Sequence, residues 1–127
     1  MDLILDTNAV SALLDGEAAV EAVIGAAENV AIPVVVIGEY RFGILQSHRR
    51  ENYETIFAKL IARTRILNIT EITASRYAQV RLDLKRAGTP IPENDLWIAA
   101  LARQHDFTVL SRDRHFDRVE GLRRIGW

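Results

Sequence analysis

Residues 1–8, MDLILDTN, decide how the rest of the chain is read. Leu3, Ile4 and Leu5 form an apolar run without alternation, the pattern of a strand buried on both faces of a parallel sheet. Asp6 ends the run, and Thr7-Asn8 leads directly into a helical pattern, Ala9-Val10-x-Ala12-Leu13-Leu14. A carboxylate at that junction stands at the carboxyl end of a strand, where open α/β sheets bind their ligands. The same aspartate is also a good helix N-cap. The other acids along the chain decide between these readings.

Working outward, Gly16 closes the first helix and 17–29 predicts a second, with Ala, Val and Ile on one side. Val30 to Ile32 is a short strand that Pro33 ends. The stretch 34–46 has β-branched character, but Val36, Glu39, Tyr40 and Gly43 recur at helical spacing and Pro33 suits a first helical position, so a helix is expected. A helix over 49–63, a strand over 66–69 and a helix over 71–87 follow, the last with Thr70 as its N-cap and Gly88 just past its end. Thr89-Pro90-Ile91-Pro92 is an extended connector. Asn94 is expected to cap a helix over 95–104. A strand over 107–110, a loop or single turn over 111–116 and a last strand over 122–125 complete the chain. Strands alternating with helices predict an α/β fold in three layers, α/β/α, around a parallel sheet of four or five strands. Without repeats or an internal linker, residues 1–127 are expected to form a single domain.

Composition narrows the function. A hydrophobic content of 49% and a charged content of 26% are ordinary for a soluble globular protein. The formal net charge of −1 gives no overall basic field, so any nucleic-acid surface has to be local. The absence of cysteine excludes disulfides and thiolate metal sites and fits a reducing cytoplasm. Met1-Asp2 has no basic leader region, and no apolar stretch approaches the roughly 18 residues of a membrane span. Three histidines disfavour zinc, whereas 17 acids suit a hard, oxygen-bound cation.

Four acids stand out by position. Asp6 follows the first strand, Glu39 lies in the helix after the second, Asp95 opens the helix before the fourth, and Asp113 follows that strand in Ser-Arg-Asp-Arg-His-Phe. If the first and fourth strands are neighbours, Asp6 and Asp113 share one rim. Asp95 can join them from a helix N-terminus and Glu39 from a flanking helix. Each also has a purely structural use: Asp95 in the helix dipole, Glu39 on a solvated face, Asp113 in an Asx turn. Clustered carboxylates repel by about 1–4 kcal/mol per close pair, which a divalent cation offsets.

These stretches together resemble the PIN-domain nucleases, and more narrowly the VapC-type toxins of bacterial toxin–antitoxin pairs. The matching segments are Leu5-Asp6-Thr7-Asn8, Gly38-Glu39-Tyr40-x-x-Gly43, the run from Gly88 to Ala100, and Leu110-Ser111-Arg112-Asp113-Arg114-His115-Phe116. The most specific is Asn94-Asp95-x-x-Ile98-Ala99-Ala100. Ser111 departs from the threonine more usual in the family but keeps the hydroxyl. The resemblance implies an endoribonuclease toxin dependent on Mg²⁺, with Mn²⁺ as the alternative ion, an RNA substrate, a small cognate antitoxin and a homodimer. On that reading Asp6, Glu39, Asp95 and Asp113 are catalytic. Asp6 and Asp95 are the primary metal ligands, Asp113 holds a second ion or a water, and Glu39 positions the attacking water. Asn8 and Ser111 orient the carboxylates. Arg112, Arg114 and His115, which flank Asp113, have the best claim among the basic residues to touch RNA, ahead of Arg49, Arg50 and Arg118. Trp97 either stacks on a base or packs its own helix.

Two alternatives are weaker. A phospho-acceptor receiver domain needs paired acids after strand one and a lysine after strand five, yet Asp6 has no acidic neighbour and the last lysine is Lys85. A haloacid-dehalogenase-type phosphatase fails because Asn8 stands where its second aspartate belongs. A non-enzymatic RNA- or protein-binding module would be separated by a metal-dependent cleavage assay.

Overall fold

The computed structural model describes Met1–Trp127. The first half runs β1 (Asp2–Leu5), α1 (Thr7–Leu14), α2 (Ala18–Gly25), β2 (Asn29–Pro33), α3 (Val34–Leu45) and α4 (Arg50–Arg63). The second half runs β3 (Arg65–Leu67), α5 (Glu71–Ala87), α6 (Glu93–His105), β4 (Thr108–Leu110), one 3₁₀ turn (Arg114–Arg118) and β5 (Arg124–Ile125). All five strands are parallel, in the order β3-β2-β1-β4-β5. β1 is therefore central, as its unalternating apolar run requires: Leu3, Ile4 and Leu5 are all but fully buried. Helices α1 to α4 pack among themselves, and α5 packs on α6. Right-handed crossovers put these two groups on opposite faces of the sheet, giving the three expected layers. A single cluster of 26 buried residues forms the core between them.

The topology reverses at β1: the chain first grows outward through β2 and β3, then returns to β1's other side as β4. Such a switch point opens a crevice at the carboxyl ends of the strands. Leu5 pairs with Leu110, and the Asp6 N–H donates to Leu110 O at 3.2 Å. This register brings the residues just past β1 and β4 onto one rim, the arrangement on which the pairing of Asp6 with Asp113 depended.

Several element ends differ from expectation, each for a local reason. α2 stops at Gly25 rather than running to Asn29, because the chain turns back to the sheet: Glu28 N–H donates to Met1 O, and Asn29 pairs with Asp2. Pro33 is the last residue of β2 and the N-cap of α3, not its first helical residue. β3 covers 65–67 instead of 66–69. Its last rung pairs Leu67 with Pro33, beyond which β2 has become helix and offers no further ladder. α6 begins at Glu93 with Pro92 as N-cap, so Asn94 lies inside the first turn and caps nothing. Leu122 only closes the turn before the strand, its N–H donating to Val119 O, which leaves Arg124–Ile125 as the edge strand. Thr70 and Gly88 occupy their expected places at the ends of α5, Gly88 in the left-handed conformation (φ 71°) that lacks a Cβ penalty.

Candidate functional site

The crevice is built on Asp6. Its backbone is extended at the α1 N-cap, and Oδ1 accepts the Thr7 N–H at 2.7 Å. Capping uses one oxygen only. The other, Oδ2, accepts the Ser111 hydroxyl at 2.7 Å and Asn8 Nδ2 at 3.3 Å. Ser111 is fully buried, and its Oγ also accepts Asn8 Nδ2 at 3.2 Å and the Asp113 N–H at 2.9 Å. Asn8 Oδ1 in turn accepts the Arg112 N–H at 3.2 Å. Asn8 and Ser111 thus tie the two strand ends together while holding one aspartate and the backbone of the other. Ser111→Ala removes three hydrogen bonds at once and leaves a buried carboxylate with one donor fewer. That variant should be destabilised by about 1–3 kcal/mol, read as a lower urea midpoint with an unchanged slope.

Asp113 follows in an extended conformation and caps the 3₁₀ turn, its Oδ1 accepting the His115 N–H at 2.9 Å. The turn swings the imidazole back over the acids. His115 Nδ1 lies 2.8 Å from Asp113 Oδ1 and 3.2 Å from Asp95 Oδ2. Asp95 reaches the cluster from the first turn of α6 with a side chain only 13% exposed. One ligand atom each from Asp95, Asp113 and His115 lies within 4.8 Å of the others.

Electrostatics draw the fourth acid into the group. Burial pushes the Asp6 carboxyl up, and the Asp113 charge adds to it; the Ser111 hydroxyl and Thr7 N–H only partly offset this. Burial, followed by the Asp6 charge, pushes Asp95 up to about 6 against the pull of His115. Glu39, on α3, is raised by burial and by Asp6, with Thr7 and Asn94 pulling the other way. The Thr7 hydroxyl is near enough to Glu39 to be felt but lacks hydrogen-bond geometry, and its Oγ1 is buried without a partner. Burial thus disfavours the charges of Asp6, Glu39 and Asp95, and the neighbouring carboxylates, Asp113 among them, add repulsion to that cost. Hard carboxylate oxygens, with an imidazole between two of them, are a donor set that fits a divalent cation.

The chain's family follows from the same segments. A model of the PIN domain matches residues 3–122. The chain belongs to the PIN-domain family. This PIN domain is 31% identical over 120 residues to ribonuclease VapC5 of Mycobacterium tuberculosis, an alignment covering 93% of the chain and 87% of that relative. It is 28% identical over 100 residues to the tRNA(fMet)-specific endonuclease VapC of Shigella flexneri, covering 78% and 76% of the two chains. Among solved structures, DNA-bound VapBC from Salmonella typhimurium superposes with a TM-score of 0.89 at 25% identity, covering 100% of this PIN domain and 98% of that chain.

The basic residues separate on inspection. Arg112 is engaged, its guanidinium 2.9 Å from Glu17 Oε1 and 4.5 Å from the centre of the Trp127 ring. Arg118 donates to Pro90 O at 2.9 Å, whereas Arg114 is exposed with no ion pair. His115 stands among the acids rather than beside them. Trp97 stacks on Tyr77 with ring centres 4.0 Å apart, so its packing partner is α5. Arg124 was not legible from its own neighbourhood. It forks onto Asp117 at 2.8 and 3.0 Å and donates to Ser111 O at 2.9 Å, bracing the loop that carries Asp113.

Proposed function

We propose that this PIN domain is a divalent-metal-dependent endoribonuclease acting as the toxin of a toxin–antitoxin pair. The observation that supports the reading is the proximity of Asp6, Glu39, Asp95 and Asp113 at the switch point of the sheet, where burial first and neighbouring carboxylates second raise the proton affinities of Asp6, Glu39 and Asp95. Relatives named as VapC ribonucleases and a VapBC complex of the same fold support the RNA substrate and the small antitoxin partner. A homodimer and a cytoplasmic location belong to the same proposal. No helix is long and apolar enough to cross a membrane.

In this reading Asp6 and Asp95 would hold Mg²⁺ or Mn²⁺, and Asp113 would serve a second ion or an ordered water. When bound, the ion polarises the phosphoryl oxygen and makes a nearby water more acidic. Glu39 orients that water in line with the phosphorus, and its raised proton affinity suits it to take the proton. Asn8 and Ser111 keep Asp6 in one orientation, so no side-chain reorganisation accompanies attack. The water oxygen bonds to phosphorus, the P–O3′ bond breaks, and the leaving oxygen takes up a proton. Because the 2′-hydroxyl takes no part, the products should carry 5′-phosphate and 3′-hydroxyl ends. The test is to incubate RNA with the purified protein in millimolar Mg²⁺ or Mn²⁺ and to map the ends chemically. Cyclic 2′,3′-phosphate ends, or cleavage that persists in EDTA, overturn the mechanism.

A further inference from the structure

A second cavity opens directly from the carboxylate cluster. It has a volume of about 280 Å³, lies between α1, α3 and the start of α4, and is lined by Thr7, Ser11, Asp15, Glu39, Tyr40 and Tyr53 among others. Thr7 and Glu39 belong both to this cavity and to the surroundings of Asp6. Its apolar wall is firm, since the Tyr40 ring packs on the buried Phe57 with centres 4.7 Å apart. Its polar groups are uncommitted. The hydroxyls of Ser11, Tyr40 and Tyr53 and the Asp15 carboxylate make no hydrogen bond within the protein, and Thr7 Oγ1 is a buried orphan. Burial, then the nearness of Asp15 and Tyr53, pushes the Tyr40 phenol up, which places these groups within each other's reach.

The lining says what fits. Two carboxylates repel a phosphate but accept N–H donors, and tyrosine rings favour a flat, aromatic ligand. Unstacked RNA bases are recognised in this way, by aromatic packing and by hydrogen bonds to the Watson–Crick edge. Among the four bases only guanine presents two adjacent donors, N1–H and N2–H, to the fork of one carboxylate. Its O6 acceptor then suits a phenol or hydroxyl donor. Beyond Ser47 the cavity adjoins a hollow lined by His48, Arg49, Arg50, Glu51 and Asn52. Neither arginine has a carboxylate partner inside the protein, so both remain available for a phosphate.

We infer that this cavity is a guanine subsite that selects the RNA segment presented to the carboxylate cluster, with Asp15 accepting the N1–H and N2–H pair, Tyr40 and Tyr53 lining the base, and Arg49 and Arg50 meeting the adjoining phosphate. The inference rests on the ribonuclease reading and adds its specificity. Asp15 is the specificity-determining residue. It is exposed at the C-terminus of α1, where its backbone rather than its side chain completes the helix, so Asn is tolerated there.

The experiment uses a pool of randomised RNAs, cleaved with Mg²⁺ and sequenced at the new ends, followed by a matched pair of oligonucleotides carrying guanosine or inosine at the selected position. Inosine lacks only the N2 amino group. The wild-type protein should enrich guanosine at one fixed position near the cut and prefer guanosine over inosine by about tenfold or more. Asp15→Asn should bring that ratio close to one at an unchanged melting temperature. The same ratio is also read without cleavage, as the affinity of the metal-free protein for the two oligonucleotides. A guanosine preference in binding with no cleavage of any RNA keeps the subsite and overturns the nuclease reading. Cleavage with no guanosine preference, or a preference that survives Asp15→Asn, overturns the subsite and leaves the nuclease reading intact. If Asp15→Asn instead weakens only the grip of an inhibitory protein, the cavity takes an arginine fork from that partner, and the inference is wrong.

Discussion

Asp6→Asn is expected to lower RNA cleavage by about 10³-fold while making the metal-free protein more stable. The two effects have one origin. Asp6 is 6% exposed, and its carboxyl is raised by burial and by Asp113, so at neutral pH the folded state holds a charge that it disfavours. An amide of the same shape can still accept the Thr7 N–H through its single oxygen and turn its NH2 toward Ser111 Oγ as a donor, and it sheds both the desolvation and the repulsion. What it loses is a charged oxygen ligand. Metal-ion stabilisation of the transition state is worth several kcal/mol, and at 1.36 kcal/mol per decade that amounts to on the order of 10³ in rate. Single-turnover cleavage and a urea melt in EDTA, run on the same preparation, check both halves. A variant that cleaves at the wild-type rate removes Asp6 from the proposed ligand set. A variant that is inactive and also much less stable shows that the carboxylate served the fold.

The second large effect is the coupling of pH, metal and stability through Asp95. Its carboxyl titrates at about 6 in the folded chain against an ordinary 3.8, so folding tightens its hold on a proton. The resulting stabilisation is fully present below about pH 4 and is lost as pH rises through about 6. Asp6 and Glu39 are displaced in the same direction and add to the trend. The metal-free protein should therefore melt at progressively lower temperature between roughly pH 4 and pH 7. A divalent ion competes with those protons and binds only the folded site, so its stabilising effect should be small at pH 5 and grow toward pH 8. Asp95→Asn should flatten the metal-free slope and remove most of the response to millimolar Mg²⁺. Thermal melts across that pH range, with EDTA or Mg²⁺, make the measurement. A metal response that is equal at pH 5 and pH 8, or that survives in Asp95→Asn, contradicts the assignment.

The local chemistry of the chain determined a good deal by itself. The unalternating Leu3-Ile4-Leu5 run specifies a central parallel strand because only a sheet covered on both faces buries every side chain of such a run. Asp6 stands at its end by covalent connection, and β4 with Asp113 repeats the pattern. Thr70 and Gly88 bound α5 through interactions within a few residues, and these too could be read in advance. The ends that shifted are those set by a distant partner. β3 stops where Pro33 leaves the ladder, and α2 stops where Asn29 must pair with Asp2.

Tertiary structure decided what the acids are to one another. The hydrogen bond from Ser111 to Asp6 spans 105 positions of sequence, and it exists because β4 returns to the side of β1 opposite β2. His115 was legible only as a basic neighbour of Asp113. The 3₁₀ turn places its ring between Asp113 and Asp95, and a single turn leaves no periodic trace in a short loop. Arg112 was one of three basic candidates flanking Asp113, yet Glu17 and Trp127, on other elements, occupy its guanidinium. The cavity that joins Asp15 to Tyr40 and Tyr53 is likewise assembled from three helices, none of which carries a motif for it. Spacing along a chain reports which face of one element a residue occupies; which charges and hydroxyls meet across elements depends on crossover and register, and these follow from burying the whole core at once.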